Sequence, residues 1–253
     1  ACSALAFDQN HSSFDKVLKA VVDKQGLVNY KMLHDHPAEL KAYLHELGGV
    51  SEKELTAWSR DEKLAFWINA YNAFTLKAII DHYPIKRDSL KGLAFPANSI
   101  RQISGVWDKL TWKVAGMKLT LNQIEHEKLR AELKEPRIHF AINCASIGCP
   151  LLEDFAFRAD RLDEQLNGVA KAFVQHPQKV RLDRKANRLY LSKIFEWFGE
   201  DFAGFDEVEG YGKLDGVVSF VSSQMSDANK AFVRKSRPAI KWLDYDWTLN
   251  EQK

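Results

Sequence analysis

The chain has 253 residues, 45% of them hydrophobic, enough to bury a sizeable core within one domain. Its 36 basic and 34 acidic residues nearly cancel and are spread along the sequence, so no basic tract asks for nucleic acid. The most apolar stretch, LAFWINAYNAFTLKAII at 64–80, is short for a membrane span and carries Asn69, Asn72 and Lys77; it is expected to be a buried core helix, with no transmembrane span in the chain.

In chain order the first feature is ACSALAF. Ala4-Leu5-Ala6 has the small-x-small pattern of an export signal cleaved before Phe7, Cys2 is placed as a lipid-modifiable cysteine would be, and an ordinary frayed terminus fits as well. Residues 1–10 are set apart as an exposed N-terminal segment and 11–253 as a single domain, with export to a bacterial periplasm or envelope as the expected location. Phe14, Val17, Leu18, Val21 and Val22 share one face of a helix capped by Ser12 or Ser13. Gly26 ends it, 28–33 is extended or a turn, and a helix through Leu40, Tyr43, Leu44 and Leu47 stops at Gly48-Gly49. Ser51 opens a short helix and Ser59 the buried one, which ends near Tyr83-Pro84.

Residues 85–108 carry the breakers Gly92, Pro96, Asn98 and Gly105 and are a candidate cleft-lining connection. Leu110, Trp112 and Val114 alternate with polar residues before Ala115-Gly116, which describes a small hairpin. Asn122 and Glu125 have capping-box spacing for a following helix. RIHFAINC at 137–144 is expected to be extended, followed by a helix from about 159 to 174, an extended pair in 179–192 and a helix near Ser192. The fold class is therefore α+β: a helix-rich single domain with a small, mostly antiparallel sheet and a helical N-terminal part.

If 137–144 is extended, Cys144 shares a face with Ile138, Phe140 and Ile142, and His139 points to the other side. A base for Cys144 would then have to come from elsewhere. Ala145, Ser146, Ile147 and Gly148 let the chain turn sharply and leave amide N–H groups free near the sulfur, where they would favour a thiolate and an oxyanion. A buried structural cysteine fits the same pattern. Cys144 and Cys149 can also form a disulfide, either structural or as a nucleophile with its resolving partner. Zinc on His126, His139, Cys144 and Cys149 is disfavoured by the opposed faces, and no metal or cofactor is expected.

Four blocks together, FWINAYNAFTL at 66–76, LTLNQIEHEKLR at 119–130, RIHFAINCASIGCPLL at 137–152 and LSKIFEWFGEDF at 191–202, resemble the domain-of-unknown-function family 547. The terminal WLDYDWTLN at 242–250 resembles the ending of its bacterial envelope-type members, so the family-like core spans about 60–250. Its polar pattern falls on Asn69, Asn72, Glu125, His126, Arg137, His139, Asn143, Cys144 and Cys149. The resemblance implies a shared fold and a Cys-His-acid site but no particular substrate. Cys144 would attack a carbonyl carbon and His126 would carry the proton, with Glu125 as nominal acid. Asn143, His139, Asn69 and Asn72 would bind substrate or support the site.

The expected function is a cysteine-dependent hydrolase or acyl transferase acting on a small-molecule or peptide-like amide. Adjacent helical residues diverge by about 100°, so Glu125 does not naturally face His126; capping is its alternative role, and Glu196 an alternative acid. Asn69 and Asn72 are expected to clamp backbone of the 85–108 loop or the Cys144 turn. Phe195, Trp197, Phe198 and Phe202 are expected in the core. The competing reading is a non-catalytic envelope module that binds a ligand or protein, with a structural Cys144–Cys149 pair.

Overall fold

The most apolar segment of the sequence becomes the longest helix. In the computed structural model, which describes residues 6–87 and 93–253, α5 (Arg60–Asp81) starts at a reciprocal Ser59/Glu62 capping box. Every residue from 64 to 80 except Lys77 is buried, so α5 is enclosed on all sides and forms the axis of the core. Helices α2 (Tyr30–Asp35) and α3 (Ala38–Gly49) pack against it, α1 (Ser12–Val21) packs on α3 and α2, and α4 (Glu52–Ala57), capped by Ser51, leads into α5. Two local expectations change here. The first turn of α1 is held by the Asp8 carboxylate, which accepts the Ser12 N–H at 3.0 Å, while residue 11 is left-handed and neither serine caps. Residues 30–35 are helical because the Asn29 side chain accepts the Met32 N–H.

The hairpin forms where alternation places it: β1 (Trp112–Val114) pairs antiparallel with β2 (Met117–Leu119). Ala115 and Gly116 both have positive φ, 48° and 77°, the turn whose twist suits two strands.

The next two segments differ from expectation, and both differences shape the cleft. The helix after the hairpin is a π-helix over Gln123–Leu133. Its box lies two residues earlier than the sequence suggests: Thr120 and Gln123 bond each other's backbone N–H at 3.1 Å, while Asn122 is already helical and caps nothing. Glu125 is thereby released from capping. Residues 137–144 are not a strand. Pro136–Phe140 is a 3-10 helix, begun by a proline in its first turn and by Glu135, whose side chain accepts the Arg137 N–H. Short apolar runs fit either period, and here the proline and its cap decide. Strand parity consequently does not apply, and His139 and Cys144 face the same cleft.

In the second half, a 3-10 turn (Ala159–Arg161) leads into α6 (Leu162–Gln175). Strands β3 (Val180–Asp183) and β4 (Arg188–Leu191) form the expected antiparallel pair. Ser192 caps α7 (Lys193–Trp197), and α8 (Asp215–Ser223) and α9 (Asp227–Ser236) precede β5 (Ala239–Trp242), which adds parallel to β4. The fold is thus helix-rich α+β, with one antiparallel hairpin and one mixed three-stranded sheet. After β5 the chain runs back as a strap. It takes the Ile147 N–H on the Thr248 carbonyl at 2.8 Å and the Gly148 N–H on that of Asp246 at 2.7 Å, then pairs around Val28. No helix among the described residues is long and apolar enough to cross a membrane. Cys2, Ala4, Leu5 and Gly92 lie outside the described residues.

Candidate functional site

The cysteine loop is built by backbone clamps from four directions. Asn72 on α5 donates to the Ala141 carbonyl at 2.9 Å and accepts the Asn143 N–H at 2.8 Å, fixing the entry to the loop. Asn143 donates to the Pro150 carbonyl and accepts the Ala145 N–H, both at 2.7 Å, closing the loop on itself. Ala145 is left-handed, φ 57°, so the chain reverses directly after Cys144. Behind the loop the buried Lys179 donates to the Ile147 carbonyl at 2.5 Å and the Cys149 carbonyl at 2.7 Å; burial pulls its pKa down to about 8. The strap supplies the fourth clamp. The amides of residues 145 and 147–149 are all used in these bonds or within the turn, which corrects the expectation that they are free for an oxyanion.

Cys144 and Cys149 are joined in a disulfide, with Cα atoms 6.1 Å apart. The Cys144 N–H points at the Cys149 sulfur, 2.9 Å away. Tyr245 of the strap brings its hydroxyl to 3.0 Å from the Cys144 sulfur and 3.1 Å from that of Cys149, and Ser146 Oγ is 3.2 Å from the former. Gly148 permits this approach: a Cβ there would come within 2.7 Å of the Tyr245 ring.

The disulfide lies in the wall of a cleft of about 460 Å³, a size suited to a small ligand. Glu125 reaches the same cleft from the π-helix. Burial pushes its pKa up to about 7, against a Tyr71 hydroxyl bond and the Arg130 charge that favour the anion; Tyr71 also takes the Trp107 indole N–H. His126 lies on the exposed rim with its Nδ1 2.9 Å from Arg130; partial enclosure of the ring and the guanidinium both favour neutral imidazole. His139 is buried, stacked on Phe198 at 4.2 Å, with Nε2 2.7 Å from Asp201. Burial holds its pKa below the usual histidine value despite that carboxylate. Asp201 is itself partly buried, yet its bonds from His139 and Arg130 keep it firmly ionised. Trp107, Trp197, Phe198, Tyr245 and Trp247 make the rest of the cleft largely aromatic.

A family model described as a protein of unknown function, DUF547, matches residues 55–174. The matched stretch is a little under half of the chain. No curated protein and no solved structure matches the chain. The DUF547 region supplies Tyr71, Arg101, Glu125, His126, His139 and both cysteines of the cleft, while Trp197, Phe198, Tyr245 and Trp247 come from beyond it.

Of the residues anticipated for the site, Cys144, His126, Glu125 and His139 line the cleft. Glu125 bonds Tyr71 and His126 meets Arg130, so the two neighbours face different partners. Asn72 and Asn143 stand behind the loop as clamps, and Asn69 fastens residue 157 through bonds of 2.8 and 3.0 Å. Arg137 is spent on Glu135, Asp163 and Asn167 outside the cleft, and Glu196 pairs with Lys193. Phe195 and Phe202 are core as expected, but Phe198 lines the cleft and Trp197, 45% exposed, stands in its wall. Sequence reasoning does not single out Tyr71, Asp201, Lys179 or Tyr245. Tyr71 lies between Asn69 and Asn72 and was open to notice; the others reach the site only through long-range folding. Among the described residues no group of three His, Cys, Asp or Glu side chains is arranged to hold a metal.

Proposed function

We propose that the cleft is the active site of a cysteine-dependent hydrolase or acyl transferase for peptide-like or amide substrates, acting in the form in which the Cys144–Cys149 bond is reduced. What supports this is the convergence of Cys144, His126 and Glu125, from separate stretches of the chain, on one cleft. Two electrons and two protons from a thiol reductant would convert the disulfide to thiols. Cys144 would then attack the substrate carbonyl carbon while His126, held in its neutral form, takes the thiol proton and returns it to the leaving amine. Water, or another acceptor, would resolve the thioester. The Cys144 N–H and the Tyr245 hydroxyl, which meet the Cys149 sulfur in the bonded form, are the donors nearest the position of an oxyanion. The buried Lys179 ammonium behind the loop would favour the thiolate.

The test is alkylation of the reduced protein with iodoacetamide across pH. Cys144 should label with a midpoint at least about one unit below the ordinary thiol value of about 8.5, and His126→Ala should restore the ordinary profile. Slow labelling with the free-thiol profile in both proteins would sink the hydrolase reading.

A second reading is favoured by the disulfide itself. In that form no thiolate exists, and the groups beside the Cys144 sulfur are the hydroxyls of Tyr245 and Ser146. The protein would then be an envelope module that binds a ligand in an aromatic cleft, with the cysteines structural. Export to a bacterial periplasm, with or without a lipid at Cys2, accords with this second reading, since an oxidising compartment preserves such a bond, whereas the hydrolase reading needs a thiol reductant there.

A further inference from the structure

Arg101 stands apart from the other cations around the cleft. Arg130 is engaged by Asp201, Glu200 and His126, and Lys179 by two carbonyls. Arg101, on the 3-10 turn Ile100–Gln102 and part of the cleft lining, forms no ion pair among the described residues. The residue is exposed, and its guanidinium packs over three rings. The central carbon lies 4.5 Å from the Phe95 ring centre, 5.1 Å from that of Trp247 and 5.5 Å from that of Trp107. Rings hold the flat face of a guanidinium and leave its N–H edge uncommitted.

A continuous apolar surface leads from there to the cysteines. Trp247 stacks against Tyr245 with centroids 4.6 Å apart, and the Tyr245 hydroxyl touches both sulfurs. Glu125 stays neutral up to about pH 7, and His126 and His139 favour the neutral state. Asp108 also lines the cleft; it is exposed and forms no ion pair with Arg101.

We propose that the cleft takes a ligand with a free carboxylate, received by the N–H edge of Arg101, and an apolar acyl or side-chain body lying along Trp247 and Tyr245 toward Cys144. An N-acyl amino acid or a peptide with a free C-terminus has this chemistry. The inference deepens the proposed function by naming its substrate class, but it rests only on the cleft being a ligand site. It is therefore tested on the disulfide-bonded protein, where no thiol chemistry operates and failure of the hydrolase reading is a separate event.

Tryptophan fluorescence would follow titration with N-acetylphenylalanine and N-acetylleucine, each against its uncharged amide, and with phenethylamine. Each carboxylate should bind at least about tenfold more tightly than its amide, the size of one good charge-assisted bidentate contact. Arg101→Gln should erase that preference, Arg101→Lys should keep part of it, and Asp108→Asn should not reduce it. The proposal is overturned if acids and amides bind alike, if none binds, if phenethylamine binds best, or if the preference survives Arg101→Gln in a protein that melts like wild type.

Discussion

Glu125 is a buried carboxyl that lines the cleft. Its folded pKa of about 7 lies above the ordinary 4.5 because burial outweighs the Tyr71 bond and the Arg130 charge. Below about pH 4.5 both folded and unfolded chains hold the proton and the residue has no pH-dependent effect. Between about 4.5 and 7 the unfolded chain ionises first, so stability falls as pH rises; above that range the loss levels off at about 3 kcal/mol. Glu125→Gln should remove this slope and gain stability relative to wild type between about pH 5 and about pH 8, measured by urea unfolding. An unchanged slope in the variant would mean that Glu125 ionises normally. The same carboxyl, with both protonation states populated near pH 7 and bonded to Tyr71, is suited to exchanging a proton in the cleft rather than to orienting His126.

At the scale of elements, the cleft depends on α5 holding a loop that has no regular structure of its own. Asn72 satisfies a carbonyl and an amide on either side of Ile142, and both would be left buried and unpaired without it. Asn72→Ala should therefore cost about 2–4 kcal/mol in urea unfolding; a loss under about 0.5 kcal/mol would show that the loop does not need this clamp. The legibility of these elements in the sequence follows from how local their causes are. Helix α5 announces itself through an adjacent capping box and a long apolar run, and the hairpin through alternation and Ala115-Gly116. The clamp by Asn72 on the cysteine turn is legible too, because an amide in so apolar a helix must find backbone partners, but Asn69 fastens residue 157, outside both segments expected of it. Residues 136–140 were not legible, since a few alternating apolar residues fit a strand and a tight helix equally. The start of the π-helix is ambiguous for a related reason: Asn122/Glu125 and Thr120/Gln123 offer the same cap spacing, and the structure uses the second.

For the whole molecule, the cleft is assembled from parts that no local reading can bring together. The DUF547 region contributes the cysteine loop, the π-helix and Arg101; the chain after it contributes Asp201 to hold His139, and a strap that delivers Tyr245 and Trp247. Cys144, His126 and Glu125 were anticipated as one site because their blocks resemble a family, whereas the partners that surround them depend on tertiary contacts. On the proposed reading Cys144, once reduced, is a nucleophile served by this assembly. Its most direct measurement is the reaction with p-nitrophenyl acetate, read by p-nitrophenolate release and by intact mass. The reduced protein should show a burst of about one equivalent and a transient acetyl group on Cys144, both absent from the disulfide-bonded form and from Cys144→Ser. Equal rates in all three proteins, or acetylation elsewhere on the chain, would contradict it.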